Sequence, residues 1–223
     1  MDKMIVYEDN VLLIVHKPVG IATETAKIGQ ADLVSELKNY RKKKGEGVYI
    51  GVVHRLDQPV EGLLVFAKNA QTARKLSDEL QKGNLTKKYA ALTAGVPQLQ
   101  EGELTDFLLK DGRTNLSMVV PEGTKGAKEA ALHWKLLKHN DFVSLLEIEL
   151  YTGRHHQIRT QMANAGFPLL GDFKYGSASS KDLSKELSVN SVALLAHEIQ
   201  LIHPVTGKKM EFLLELDNFM RIF

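Results

Sequence analysis

Val53-His54-Arg55-Leu56-Asp57-Gln58-Pro59-Val60-Glu61-Gly62-Leu63-Leu64-Val65-Phe66-Ala67 is the stretch from which the fold class is read. A polar turn runs straight into Leu63–Ala67, a short, unbroken apolar run of the kind that forms a buried strand. Upstream, Val11–Val15 is a second such run, and His16-Lys17-Pro18 with Gly20 ends it as a turn. Between the two, Leu33, Leu37 and Tyr40 recur at helical spacing. Their pattern predicts an amphipathic helix over Ala31–Arg41 that runs into a basic loop, Arg41-Lys42-Lys43-Lys44-Gly45.

Downstream, Asn69 is placed to cap a helix on which Ala73, Leu76 and Leu80 share a face, with Gly83 closing it. Lys88–Ala94 alternates as a strand, with Tyr89, Ala91 and Thr93 on one side. Glu103–Leu109, Ala130–Lys138 and Phe142–Tyr151 read as further strands, and the polar stretch Lys110–Gly126 separates the first two. Ile158, Met162 and Ala165 predict a helix over 155–165, stopped by Gly166. Ser177–Ser191 reads as a polar loop. Val192–Ile202 and Met210–Leu214 read as a closing pair of strands around His203-Pro204-Val205-Thr206-Gly207. Strands outnumber helices and often adjoin in sequence. The class is therefore α+β, a mixed, mainly antiparallel sheet with flanking helices. No composition break divides the chain, so residues 1–223 read as one catalytic unit, with a bilobed arrangement open.

Composition narrows the chemistry. The chain has 223 residues, a net charge of +2 and no cysteine. Disulfides, Cys-ligated zinc, iron–sulfur clusters and a thiol nucleophile are excluded. The apolar runs are far shorter than the ~18 residues of a membrane span. The acidic start, reaching Glu8 and Asp9, does not read as a signal peptide, so a cytoplasmic location is expected. A net charge of +2 gives no global sign of a nucleic-acid partner.

Three segments could carry chemistry. In His54–Gly62 a carboxylate, Asp57, lies two residues from a guanidinium just before a strand. Such a group can act as nucleophile or base if a second cation keeps it ionised. Read alone, the segment is more simply a surface turn whose Asp caps its own backbone. In Tyr151–Arg159 two arginines and two adjacent histidines sit where a strand, a glycine turn and a helix meet. Arg154 could hold phosphate at the helix N-terminus and Arg159 could reach a buried carboxylate. A solvated basic face competes with that reading. Tyr89, in Thr86-Lys87-Lys88-Tyr89, could stack on a base, although packing is the simpler reading. His197-Glu198 with His203 lacks the spacing of a zinc-protease helix, and His155 and His156 should point apart on a helix, so no metal site is expected.

Taken in order, these segments resemble the RluA-type pseudouridine synthase family. His54-Arg55-Leu56-Asp57 followed by Gly62–Lys68 is similar to the family's catalytic-aspartate motif. Lys88-Tyr89-Ala90-Ala91 with Gly95 resembles its tyrosine strand, and Gly153–Arg159 its arginine motif. Pro168–Gly176, Leu195-Ala196-His197 and His203–Gly207 resemble later family segments, and Val6–Gly20 its opening. Two positions depart from the common pattern. Val60-Glu61 stand where many members carry Thr-Ser, and His155 stands where many carry Thr or Ser.

The resemblance implies the pseudouridine synthase fold and isomerisation of uridines in ribosomal or transfer RNA, an internal rearrangement with no cofactor or metal. It assigns Asp57 as the essential carboxylate, acting covalently or by taking the 2′ proton. Arg159 pairs with Asp57 and holds its pKa low, and Tyr89 helps remove the C5 proton. Ile158 packs beside the base, and Arg55 enters the RNA stack as the target uridine flips out. His54, Lys88, Arg154 and Gln157 are further RNA-binding candidates, and Arg41–Lys44 a weaker phosphate candidate. A chain of this length is expected to hold the catalytic core without an S4-type RNA-binding domain, and to act as a monomer without a protein partner. Two other readings compete: an RNA-binding module that keeps the fold without catalysis, and a carboxylate hydrolase of N-glycosides.

Overall fold

The two apolar runs become paired strands. The structure is a computed structural model that describes residues 2–25 and 29–223. In chain order a 3₁₀ turn (Asp2–Met4) precedes β1 (Ile5–Glu8), β2 (Leu12–Lys17), α1 (Leu33–Lys43), β3 (Gly51–Val52), β4 (Glu61–Ala67) and α2 (Ala70–Gln81). The chain continues through β5 (Thr86–Ala94), β6 (Glu101–Asp111), β7 (Leu116–Val120), β8 (Lys128–His139) and β9 (Val143–Leu150). It ends with α3 (Gln157–Asn164), α4 (Ala178–Glu186), β10 (Leu194–Ile202), β11 (Lys209–Leu213) and α5 (Asp217–Met220). The chain forms two compact units, one of Met1–Lys87 with Ala196–Leu214, the other of Lys88–Leu195 with Glu215–Phe223.

In the first unit, β4 is the central strand. It pairs antiparallel with β2, from Leu12↔Ala67 to Lys17↔Gly62, and β2 pairs antiparallel with β1. β3 and β10 also lie beside β4, and β11 pairs antiparallel with β10. Leu63 to Ala67 are all buried, as a run without alternation requires of a strand covered on both faces. Leu12, Ile14, Leu63, Val65, Leu76 and Ile199 form one cluster. Each such side chain contributes about 1.5–3 kcal/mol on full burial. Asn69 caps α2 as expected, accepting from the Thr72 N–H at 2.8 Å. Gly62 starts β4 at φ +135°, and a Cβ there would lie 2.5 Å from the Ala196 backbone. Only glycine allows that approach.

The second unit is built on an antiparallel run. β5 pairs with β9, β9 with β8, β8 with β6 and β6 with β7. A register shift between Leu136 and Lys138 leaves Leu137 as the exposed extra residue of a bulge. No helix among the described residues is long and apolar enough to cross a membrane.

Three expectations need correction. Ser177–Ser191 is not all loop, because α4 lies within it. Ser177 caps that helix by accepting from the Ser180 N–H at 3.1 Å, and Ser184 Oγ accepts from the buried Gly171 N–H at 2.9 Å. A helix that buries serine hydroxyls carries no apolar stripe to betray it. Lys110–Gly126 contains β7, an edge strand with little burial. Finally, Arg41–Lys43 is not a loop but the last turn of α1, where basic side chains complement the helix dipole.

Candidate active site

The turn that carries Asp57 is held from its own unit on both sides of the carboxylate. Val60 N donates to Asp57 O at 3.0 Å and closes the turn. On one flank Thr23 Oγ1 donates to Leu56 O at 3.0 Å and accepts from Leu56 N at 3.2 Å. On the other, Gly20 N donates to Gln58 O at 2.9 Å, and the Gln58 side-chain amide returns a bond to Gly20 O at 2.9 Å. Beneath the turn Lys17 is fully buried. Its ammonium donates to Pro18 O, Ile21 O and Gln58 O at 3.0, 2.8 and 3.2 Å. Burial lowers its pKa to about 8, against the opposing pull of the Asp57 and Glu61 charges. Both neighbours of Asp57 thus have fixed main chains, which is what a reacting carboxylate needs.

Around this turn the candidates divide. Arg55 is exposed. His54 Nε2 accepts from the β4 Val65 N–H at 3.2 Å, which ties the turn to the strand. Burial, and then the charge of Lys87, push the imidazole well below its usual pKa, so it is neutral with its proton on Nδ1. Glu61, one of the departures from the common pattern, bonds to His16 Nε2 at 2.8 Å. That bond holds its carboxyl below the usual range against burial, with His16 and Lys17 charges adding.

The second unit carries the tyrosine and the arginine motif. Tyr89 is buried on β5, opposite Ile148 of β9, and its neighbour Lys88 lies 3.4 Å from Glu147. At the arginine motif the structure changes the expected picture. The helix starts at Gln157, and His156 precedes it in the left-handed conformation, φ +53°. The backbone reversal stacks the His155 and His156 rings at 3.7 Å, rather than pointing them apart as a helical pair would. Gln157 shapes the turn. Its Oε1 accepts from Arg154 N at 2.9 Å and Thr152 Oγ1 at 2.8 Å, and its amide donates to Ala131 O at 3.1 Å. Arg154 is exposed, with Nε donating to Glu129 O at 2.7 Å, and Ile158 is buried.

Arg159 is buried and bound in bidentate fashion by Asp172, at 2.7 Å from Nε and 2.8 Å from Nη2. Burial would raise the Asp172 pKa, but Arg159, with the Tyr175 and Lys174 amides, holds it below the usual carboxylate range. The guanidinium also lies 5.0 Å from the Tyr175 ring, whose hydroxyl meets His156 Nδ1 at 2.6 Å and accepts from Ser117 N at 2.8 Å. This pair uses two of the five guanidinium donors and fixes the plane of the rest. Neither Asp172 nor Tyr175 was identified from the sequence as a site residue. The signal available was the acid and the aromatic of Gly171–Gly176, a segment noted only for its resemblance.

The Arg41–Lys44 phosphate candidate is corrected in part. Arg41 is buried, donating to Lys68 O at 3.0 Å and to Tyr49 O, and Lys44 pairs with Glu8 at 2.9 Å. Lys42 and Lys43 stay exposed.

Comparison with known proteins bears on this arrangement. Residues 11–164 match the family described as RNA pseudouridylate synthase. An uncharacterised RNA pseudouridine synthase of Bacillus subtilis, YhcT, is 35% identical over 92% of this chain and 65% of its own. Ribosomal large subunit pseudouridine synthase C of Buchnera aphidicola is 33% identical over 97% of this chain and 68% of its own. Synthase D of Zymomonas mobilis is 33% identical over 98% and 70%. The chain thus spans about two thirds of the length of these relatives. The solved structure of human RNA pseudouridylate synthase domain containing 4 shares the fold, with a TM-score of 0.80 at 22% identity, covering 99% of this chain and 91% of that one.

Proposed function

The chain belongs to the RNA pseudouridylate synthase family, and from that premise we propose that it isomerises uridines in ribosomal or transfer RNA to pseudouridine, with Asp57 as the essential carboxylate. The observation that carries this reading is the Asp57 turn, whose flanking residues are both clamped by main-chain bonds while Arg55 beside it stays exposed. In the reaction the C1′–N1 bond breaks with its electron pair passing to the base. The uracil rotates, a C5–C1′ bond forms, the C5 proton leaves and N1 takes up a proton, so composition is unchanged. Asp57 acts at the nucleoside, with Arg159, fixed by Asp172, as its proposed cationic partner. Tyr89 lies against the base and helps remove the C5 proton.

Flipping the uridine out of its stack costs a few kcal/mol, and the planar Arg55 side chain replaces lost stacking. Lys88 and Arg154 contact phosphate. His54 and Gln157 serve RNA binding indirectly, because their polar atoms hold the two turns in shape. The large-subunit synthases among the relatives favour a ribosomal target over a transfer RNA. Mapping pseudouridines in total RNA from cells with and without the gene tests the proposal. At least one uridine is expected to lose its modification without the gene and regain it with the wild-type chain. An unchanged map would overturn it.

A further inference from the structure

Lys87 stands apart from the other buried cations of this chain. It lies on β5 and is only 9% exposed. Among the described residues its ammonium makes no hydrogen bond and no ion pair. Lys17 is buried too, but three carbonyls surround its ammonium. Lys68 is buried against Glu8 and Glu46, at 2.9 and 2.8 Å. Nothing comparable meets Lys87. Burial alone lowers its pKa to about 8, with no anion of the protein to offset the loss of water. The titratable group that senses its charge is His54, which is held neutral with its Nε2 committed to Val65. A nine-tenths buried lysine whose ammonium meets no partner among the described residues is costly to hold, and its Nζ keeps a residual opening to solvent through which a ligand can reach it.

Its placement suggests the reason. Successive side chains of a strand alternate, so Lys87 and Tyr89 share a face of β5 and Lys88 takes the other. The burial pattern agrees, with Lys87 and Tyr89 buried and Lys88 half-exposed. His54 opens the segment that leads to Arg55 and Asp57.

We infer that Lys87 is a substrate-contacting residue whose ammonium donates a hydrogen bond to a uracil carbonyl oxygen while the base is detached from the ribose. This rests on the proposed isomerisation. When the C1′–N1 bond breaks, the electron pair spreads from N1 onto the two carbonyl oxygens. A preorganised, largely desolvated donor stabilises such charge far more than it stabilises the neutral base. Lys87 moves no proton; it offsets the charge until the C5–C1′ bond forms and the charge is withdrawn. A backbone phosphate is the poorer match, because it would bring a full charge and its hydration into a nine-tenths buried position.

The test uses Lys87→Met and Lys87→Arg in the full chain, with C5-tritiated total RNA from cells lacking the gene and enzyme in excess. For Lys87→Met the plateau rate of tritium release should fall about 10²–10³-fold. Its half-saturating concentration should stay within about threefold of wild type, because the interaction is made only after the bond breaks. Its Tm should be unchanged or higher, since an unmatched buried charge is replaced by an apolar chain. Lys87→Arg should regain part of the rate. Four results would overturn the assignment: an unchanged plateau rate in Lys87→Met, a rise in half-saturation alone, a lowered Tm that accounts for the lost rate, or no recovery in Lys87→Arg. A wild-type chain that releases no tritium from this RNA would instead remove the isomerase reading on which the assignment depends.

Discussion

Asp172 shows how much one residue can decide through the side chain it holds. Its carboxylate takes two bonds from Arg159 in a site where both side chains are almost fully buried. Removing its charge leaves the guanidinium without its bidentate partner. Asp172→Asn should destabilise the fold by about 3–5 kcal/mol, the range for breaking a buried ion pair, as read by urea unfolding at neutral pH. The sign with pH follows from the lowered pKa. The stabilisation is present above the range where an unfolded Asp titrates, and is lost as pH falls through the lower folded value. The two unfolding curves should therefore converge in acid, and a gap that widens there would contradict the pairing. Asp57, Tyr89 and Arg159 were not legible from their local segments alone, and were singled out because those segments, taken in order, resemble the family's motifs. Asp172 was not singled out, because it lies thirteen residues beyond Arg159, past the end of α3 and the Gly171 turn, and no spacing rule links the two.

At the scale of elements, a small ionic cluster ties β1 to α1 and to the end of β4. Glu8 accepts from Lys68 and Lys44 at 2.9 Å and from the Tyr40 hydroxyl at 2.8 Å. Burial opposes its ionisation, but these donors outweigh it and hold the carboxyl at about 2. Glu8→Gln should cost about 1.5–3 kcal/mol at pH 7, as for a lost charged hydrogen-bond partner. The cost should shrink as pH falls from the unfolded value of 4.5 towards 2, where the wild-type carboxyl is protonated as well. Thermal unfolding of both chains across that range checks it, and a constant difference would contradict it. Strands with continuous apolar runs, β2 and β4, were legible to within two residues at either end, because burial on both faces leaves an unmistakable pattern. The cap of α2 at Asn69 was legible for the same local reason. α4 and β7 were not. One buries serine hydroxyls and the other is a largely exposed edge, so neither writes its periodicity into hydropathy. The end of α1 was hidden because a run of lysines reads equally as a loop or as a favourable last turn.

Over the whole molecule, the net charge of +2 conceals local clustering that only residue positions reveal. Arg41 is buried against Glu46 and two carbonyls, which removes it from any RNA surface, and the exposed Lys44 is paired with Glu8. Arg55, Lys88 and Arg154 remain as the proposed contacts. With the two phosphates that Lys88 and Arg154 meet, the logarithm of RNA affinity should fall with the logarithm of salt at a slope of roughly −1.5 to −2. A filter-binding titration across ionic strengths would show it, and a flat line would contradict electrostatic contact. The central claim is that this chain rearranges uridine through Asp57, and one measurement reaches it most directly: release of the C5 proton from C5-tritiated RNA by wild type and by Asp57→Asn. Steady release by the wild-type chain is expected, and none by a folded Asp57→Asn of equal RNA affinity. Undiminished release by that variant would contradict it.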